Sequence, residues 1–271
     1  VGLQQAIKHY LVIDGEYIWK YTHNAYDFSV LGNTPITFPI DWHNSKIPGF
    51  LVRASVPNFH GFSALVVMSS VAARYFPPQV GGLGVTAGQG GSVFRIDHDE
   101  KFNQTTHLQY QPWKHGPWAG FNWRYDSGLV AGSVPDFATA LAFDGDQQAA
   151  IGLFCAGPGG QRIFASLLNP LSNAASSCGP NPTGAGATRV SIPPNGTEND
   201  DKNPPRIAPR NLFDVALGQD DLFHGDRYKW SLRLTVVNLT NKETLYNFLS
   251  TFSGTHFVTP RAVTAEVGFH F

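Results

Sequence analysis

The chain has 271 residues, of which 14% are charged, and its formal net charge is −1, so it lacks the basic field of a nucleic-acid binder. Aromatic residues make up 13%, and 28 glycines and 19 prolines punctuate the chain, a mixture that disfavours a helical bundle and favours strands joined by turns. The longest apolar run, Ala64 to Met68, falls far short of the roughly 20 residues of a membrane helix, which excludes a helical membrane protein but not a membrane barrel, whose strands alternate.

In chain order, a first strand is expected over 5–20, then a long loop from 22 to 46. Phe50, Val52, Ala54 and Val56 next alternate with Leu51, Arg53 and Ser55, the period of two of a strand with one apolar face. This strand, 47–57, is followed by the short turn Pro57 to Gly61 and a strand over 61–76. A long loop over 77–99 leads to strands at 100–111 and 117–131, separated by the turn Pro112 to Pro117. In the second of these, Ala119, Phe121, Trp123 and Tyr125 alternate with Gly120, Asn122 and Arg124.

The segment 132–206 is the least strand-like, and Gln147-Gln148-Ala149-Ala150 favours a short helix near 146–154. It holds both cysteines, Cys155 and Cys178. Two cysteines in one Gly/Pro/Ser-rich loop point to a disulfide in an oxidising compartment, worth about 3 kcal/mol in the chain-entropy model. Strands follow at 207–217, 227–239 and 261–271, with a shorter turn at 218–226 and a long loop at 240–260. Trp230, Leu232, Leu234 and Val236 alternate with polar neighbours, as do Val263, Ala265, Val267, Phe269 and Phe271.

Long and short connections therefore alternate along about eight strands, the hairpin rhythm of an outer-membrane barrel with short periplasmic turns and long outer loops. Arg53, Arg124, Arg233 and Glu266 sit mid-strand on the polar face, which excludes a dry, tightly packed interior. Trp113, Trp118, Tyr125, Tyr228, Trp230, Phe269 and Phe271 lie near strand ends, as aromatic girdles at membrane interfaces do. Val1 is not an initiator Met and no signal peptide is visible, so the chain reads as a fragment or a mature form.

Phe269 and Phe271 on an alternating last strand resemble the C-terminal barrel-insertion signal of outer-membrane proteins, although Gly268 is not where that signal usually has its glycine. Leu234-Thr235-Val236-Val237-Asn238-Leu239-Thr240-Asn241-Lys242, Tyr246, Pro260-Arg261, Trp123 to Gly128 and Pro209 to Asp214 together resemble the end of TonB-dependent outer-membrane receptors, Thr240 standing where Phe or Asp is common. The nearest subgroup is the receptors with a carboxypeptidase-regulatory-like N-terminal domain. The specific motifs cover 120–271, and the earlier part agrees in rhythm.

The resemblance implies an all-β, antiparallel, up-and-down transmembrane β-barrel, of which 1–271 is a C-terminal fragment of about eight strands with long outer loops, 132–206 being one extracellular loop. The whole barrel would have about 22 strands and a plug. The plug, the export signal and the contact with the TonB complex would lie in a missing N-terminal part. The expected location is the bacterial outer membrane, and the expected partners are outer-membrane lipid, the barrel-assembly machinery, the TonB complex and an unknown small ligand such as a siderophore or oligosaccharide.

No catalytic set, metal site or cofactor is expected. The ten histidines show no His-Glu-x-x-His pattern, and neither a nucleophile elbow nor a phosphate loop is present. Asp97-His98-Asp99-Glu100 is the densest acidic run; a solvated charge run is the simpler reading than calcium. Recognition is expected from the outer loops, with Trp42, His43, Arg162, His256 and Phe257 as ligand-binding candidates. The competing readings are a secreted or surface β-sandwich that binds carbohydrate, which requires a second sheet packed on the first, and a small membrane-barrel enzyme, which requires a Ser/His/acid arrangement.

Overall fold

The structure is a computed structural model, described here for residues 1–30, 36–82, 91–156, 162–171, 192–223, 228–250 and 254–270. Nine strands form one antiparallel path in chain order: β1 (Gly2–Ile7), β2 (Leu11–Val30), β3 (Thr37–Phe59), β4 (Phe62–Val71), β7 (Asn103–Tyr110), β8 (Trp118–Asp126), β11 (Arg210–Gln219), β12 (Lys229–Val237) and β15 (Ala262–His270). β5 (Arg74–Gly81) pairs with β3 beside this path, and β6 (Phe94–Arg95) pairs with β5. This is an up-and-down sheet in which each strand neighbours the previous member of the path.

The register collects the apolar side chains on one face. Val56, Ala64, Leu108, Phe121, Val215, Val236 and Val263 lie directly opposite one another across seven successive strands. One residue out of step, Ser55, Leu65, His107, Asn122 and Asp214 form the corresponding row on the other face. A one-residue slip would exchange the two faces, so the pattern fixes the pairing.

Nothing among the described residues covers the apolar face: Leu217 is 55% exposed, Leu234 43% and Val267 64%. A sandwich would bury these side chains between sheets. The alternation is therefore that of a barrel wall, greasy outside and polar inside.

Short turns gather at one end of the sheet. Gly61 illustrates their tightness: its φ is +83°, and a Cβ there would sit 2.0 Å from the Gln111 carbonyl oxygen. On the polar face the Trp118 ring covers Gly218 so closely that a Cβ would lie 2.3 Å from it, and the Arg233 guanidinium stands 5.8 Å from the ring centre. Trp118 therefore faces the polar side and is not a member of the outer girdle expected for it. At this end of the apolar face, Phe269 packs against Trp230 at 4.9 Å and Tyr228 at 5.8 Å.

The other end carries the buried core. Helices α1 (Phe137–Ala142) and α2 (Gly145–Ala150) and the hairpins β9 (Phe154–Ala156) with β10 (Arg162–Phe164) and β13 (Leu245–Ser250) with β14 (Gly254–Phe257) fold into a cap. Its core includes Ala131, Ile151, Leu153, Phe154, Leu171, Ile207 and Phe248. Asp136 caps α1 by accepting from the Thr139 amide at 3.0 Å, and Asp144 and Gln147 form a reciprocal capping box on α2. Gln148 is fully buried, with its amide nitrogen donating to the Leu141 and Leu171 carbonyls and its oxygen accepting from the Leu171 amide.

Several sequence expectations change in detail. The single strand at 5–20 is instead β1, a turn and the start of β2. Lys8 takes φ 50° at that turn, where no glycine or proline announces it. The expected loop at 22–46 is largely a continuation of the β2–β3 hairpin, paired through Val30 and Thr37. The strand expected over 61–76 ends at Val71 and resumes as β5, and the helix expected near 146–154 stops at Ala150, with Gly152 at φ 69°. Asp97 to Glu100 is not a solvated run: Asp99 is 3% exposed, accepts from the Ala73 amide at 2.6 Å, and is ion-paired with Arg95 and Arg206.

Candidate functional site

A cavity of about 560 Å³ opens on the polar face where the sheet meets the cap. β8 supplies Arg124 and Asp126, β11 supplies Arg210 and Leu212, and the β13–β14 hairpin contributes Tyr246, Asn247, His256 and Phe257. Arg210 links wall to hairpin. It lies 2.9 Å from the Asp126 carboxylate, donates to the Leu245 and Tyr246 carbonyls at 3.3 and 3.2 Å, and stands 5.0 Å from the Tyr246 ring centre. Arg124 is 3.3 Å from Asp214, whose other oxygen accepts from the Asn238 amide at 2.8 Å. The cavity's arginines are thus paired with carboxylates, and the space is neutral in balance, with aromatic and amide side chains on its rim.

Asn238 explains part of the motif that begins with it. Its side chain donates to the Lys242 and Thr259 carbonyls and accepts from the Lys242 amide, while Asn241 accepts from the Arg261 amide. These bonds hold the chain entering β15 against the end of β12 and so position Val258 and Thr259 at the cavity edge.

No protein-family model and no curated protein sequence matches the chain. Solved structures do. The outer-membrane transporter YddB from Escherichia coli superposes with a TM-score of 0.52 at 9% identity, covering 98% of this chain and 31% of that one. The FrpB iron transporter from Neisseria meningitidis (F5-1 variant, apoprotein form) does so with a TM-score of 0.54 at 14% identity, covering 98% and 30%. The fold is that of the outer-membrane transporter barrels. The chain spans about a third of the length of these transporters.

Of the five ligand candidates, the barrel structure brings two together: His256 and Phe257, neighbours on β14, both line the large cavity. Asn247 positions His256, its side-chain oxygen accepting from the His256 amide at 2.8 Å and lying 3.3 Å from Nδ1. Trp42 is elsewhere, on the long β2–β3 hairpin, with Nε1 donating to Asp27 at 3.2 Å and its ring 4.7 Å from Phe94. His43 is exposed beside it. Arg162 is ion-paired with Glu243 and lies 4.9 Å from the Phe154 ring centre, so it is engaged within the cap. Cys155 is buried and disulfide-bonded; Cys178 lies outside the described residues. Phe269 is placed as above, and Phe271 also lies outside the described residues.

Ten of the twelve cavity residues are not among the ligand candidates of the sequence, Asp126, Arg210, Tyr246 and Asn247 being four of them. Asp126, Arg210 and Tyr246 fall in the motifs that carried the family resemblance, and that overlap was the available signal. The barrel arginines Arg53 and Arg124 have their partners in the wall, Arg53 with Asp14 at 3.2 Å.

A second, smaller cavity of about 60 Å³ lies within the outer elements, lined by Asp27, Phe94, Arg95, Asp97 and Glu198 among others. Burial pushes the Asp27 carboxyl above the usual range, assisted by the Asp97 charge and opposed by hydrogen bonds from the Phe28 amide and Trp42. The hydrogen bond with Asp97 raises His98, more than burial lowers it. Among the described residues no group of three or more His, Cys, Asp or Glu side chains is arranged to hold a metal ion.

Proposed function

We propose that this chain is the C-terminal third of a TonB-dependent receptor barrel in the bacterial outer membrane, serving energised uptake of a small ligand. The observation that carries the reading is the uncovered apolar face that runs in register across the wall, since lipid is the medium that makes such a face favourable. The two outer strands of the sheet add support. β1 and β15 show no pairing with each other among the described residues. Unpaired edges are not tolerated in hydrocarbon, so further strands would complete the barrel.

In this reading the turn end faces the periplasm and the cap faces the outside. Barrel-assembly machinery would read the last strand, and the TonB complex would act through an N-terminal plug. The two transporters that share the fold support a transport role, and an iron chelate and an oligosaccharide are both candidate cargoes. The cavity between wall and β13–β14 is the place where this third of the barrel would touch it.

Expression of the full-length protein in a Gram-negative host tests the reading. It is expected in the outer-membrane fraction, to need detergent for extraction, and to migrate faster on a gel before boiling than after. Recovery as a soluble compact monomer would overturn it.

A further inference from the structure

Cations line up across one face of β3, β5 and β6. Lys46 lies directly opposite Arg74, and Arg74 directly opposite Arg95. By the alternation of β3, Lys46 shares the face of Phe50, Val52 and Ala54, the apolar side of the wall. Like charges placed opposite one another across strands are destabilising. Asp201 answers part of the row: one of its oxygens accepts from Arg74 Nε at 2.6 Å and from Arg95 Nε at 2.9 Å. Lys46 has no carboxylate partner among the described residues. Its ammonium stands instead 5.6 Å from the ring centre of Tyr21 and 5.3 Å from that of Phe76. We propose that Lys46 and Arg74 together hold the phosphate of an outer-leaflet lipid headgroup against the barrel.

On the barrel reading proposed above, on which this site rests, the level of the row selects a lipid over dissolved phosphate. From Leu11 to Tyr21, β2 advances about 33 Å at about 3.3 Å per residue. A strand tilt of about 40° leaves about 25 Å of this along the membrane normal, the height of a barrel's apolar band. Tyr21 is directly opposite Lys46, so the ammonium stands at the outer edge of that band. Below it Tyr17, Trp19 and Tyr21 follow one another on the same face, 56%, 78% and 46% exposed, as rings do at a membrane interface. A lipid seated there places its phosphate between the two cations and its apolar part on the rings. Dissolved phosphate gains only the first of these contacts.

Native mass spectrometry of the full-length protein in detergent micelles, titrated with bisphosphorylated lipid A, is the test. Lys46→Gln is expected to weaken binding about fivefold, the worth of one cation at an anionic membrane surface, and Lys46→Arg to restore it. Lys20→Gln is the control: Lys20 is paired with Ile47 on the opposite face of the hairpin, and its loss should leave the affinity unchanged. Fully dephosphorylated lipid A should not distinguish the wild type from Lys46→Gln. Equal affinity of these two for the bisphosphorylated lipid, an equal loss in Lys20→Gln, or displacement of the lipid by an equal concentration of inorganic phosphate would overturn the site. Gel migration before and after boiling is read on every variant. An intact barrel with any of those results sinks the lipid site alone, whereas a wild type without the migration shift sinks the barrel reading and the site with it.

Discussion

Leu234→Arg separates lipid from water as the medium at the apolar face. Leu234 is near the middle of β12, between Leu217 on β11 and Ala265 on β15, and its side chain points away from the polar face. Arginine on the lipid face of a barrel costs about 2–4 kcal/mol at the bilayer midplane and about 0–1 kcal/mol near the interfaces. A cost of that midplane size is a loss of roughly 30- to 700-fold in the folding equilibrium constant. Thr264→Arg is the control: it lies one residue along the same sheet on the polar face, exposed, two residues from Glu266, where an added charge should stay within about 0.5 kcal/mol. Reversible denaturant titration of the full-length protein in phospholipid vesicles, followed by tryptophan fluorescence, reads both. If the two substitutions cost the same within about 0.5 kcal/mol, the face is wet and the barrel assignment fails.

Other outcomes follow from the cap. Phe248→Ala, at a side chain 1% exposed in the cap core, should cost about 3–5 kcal/mol of cap stability, seen as proteolytic nicking of 132–206 with the wall intact. Asp99→Asn leaves Arg95 and Arg206 facing a neutral amide and should cost about 3–5 kcal/mol, read as lost exchange protection around 192–206. Glu100 is held above the usual carboxylate range by burial and then by Asp126, against hydrogen bonds from Gly128 and Asn103. Its folded form therefore binds a proton more tightly than its unfolded form, so its contribution is greatest in acid and is lost as pH rises through the raised value. Glu100→Gln should flatten that part of the pH–stability curve measured by thermal melts of the cap.

The wall was legible because its signal is local. Trp230, Leu232 and Leu234 announce their face by spacing alone, and the turns beyond them carry Gly, Pro or Asn. The first hairpin was missed where that chemistry is absent: Lys8-His9-Tyr10 turns the chain through a lysine at positive φ. The upper half of β2 and β3 reads as loop because His23, Asn44 and Ser45 are polar, yet their backbones pair in register. Trp118 was placed on the wrong face by its position near a strand end, although the alternation of Ala119, Phe121 and Trp123 already assigned it to the polar side.

The cap was illegible for a different reason. Ala131, Ile207 and Phe248 meet in one core from segments far apart in the chain, and no short periodicity marks them. Asp99 carried a charge that composition reads as solvated, but three separate groups, Ala73, Arg95 and Arg206, converge on it only once the chain has folded. The large cavity combines both cases. Its wall residues Arg124, Asp126 and Arg210 sit on strands the alternation predicts, whereas its roof exists because Arg210 reaches the carbonyls of Leu245 and Tyr246. The Arg210 side chain is 2% exposed, so removing its guanidinium would leave those carbonyls and Asp126 without their partner. Arg210→Met, which keeps the length and loses the charge, should therefore free the β13–β14 hairpin at every pH. Hydrogen exchange of Leu245–Ser250, read against β8, checks this, and a hairpin as well protected in the variant as in the wild type would refute the anchor.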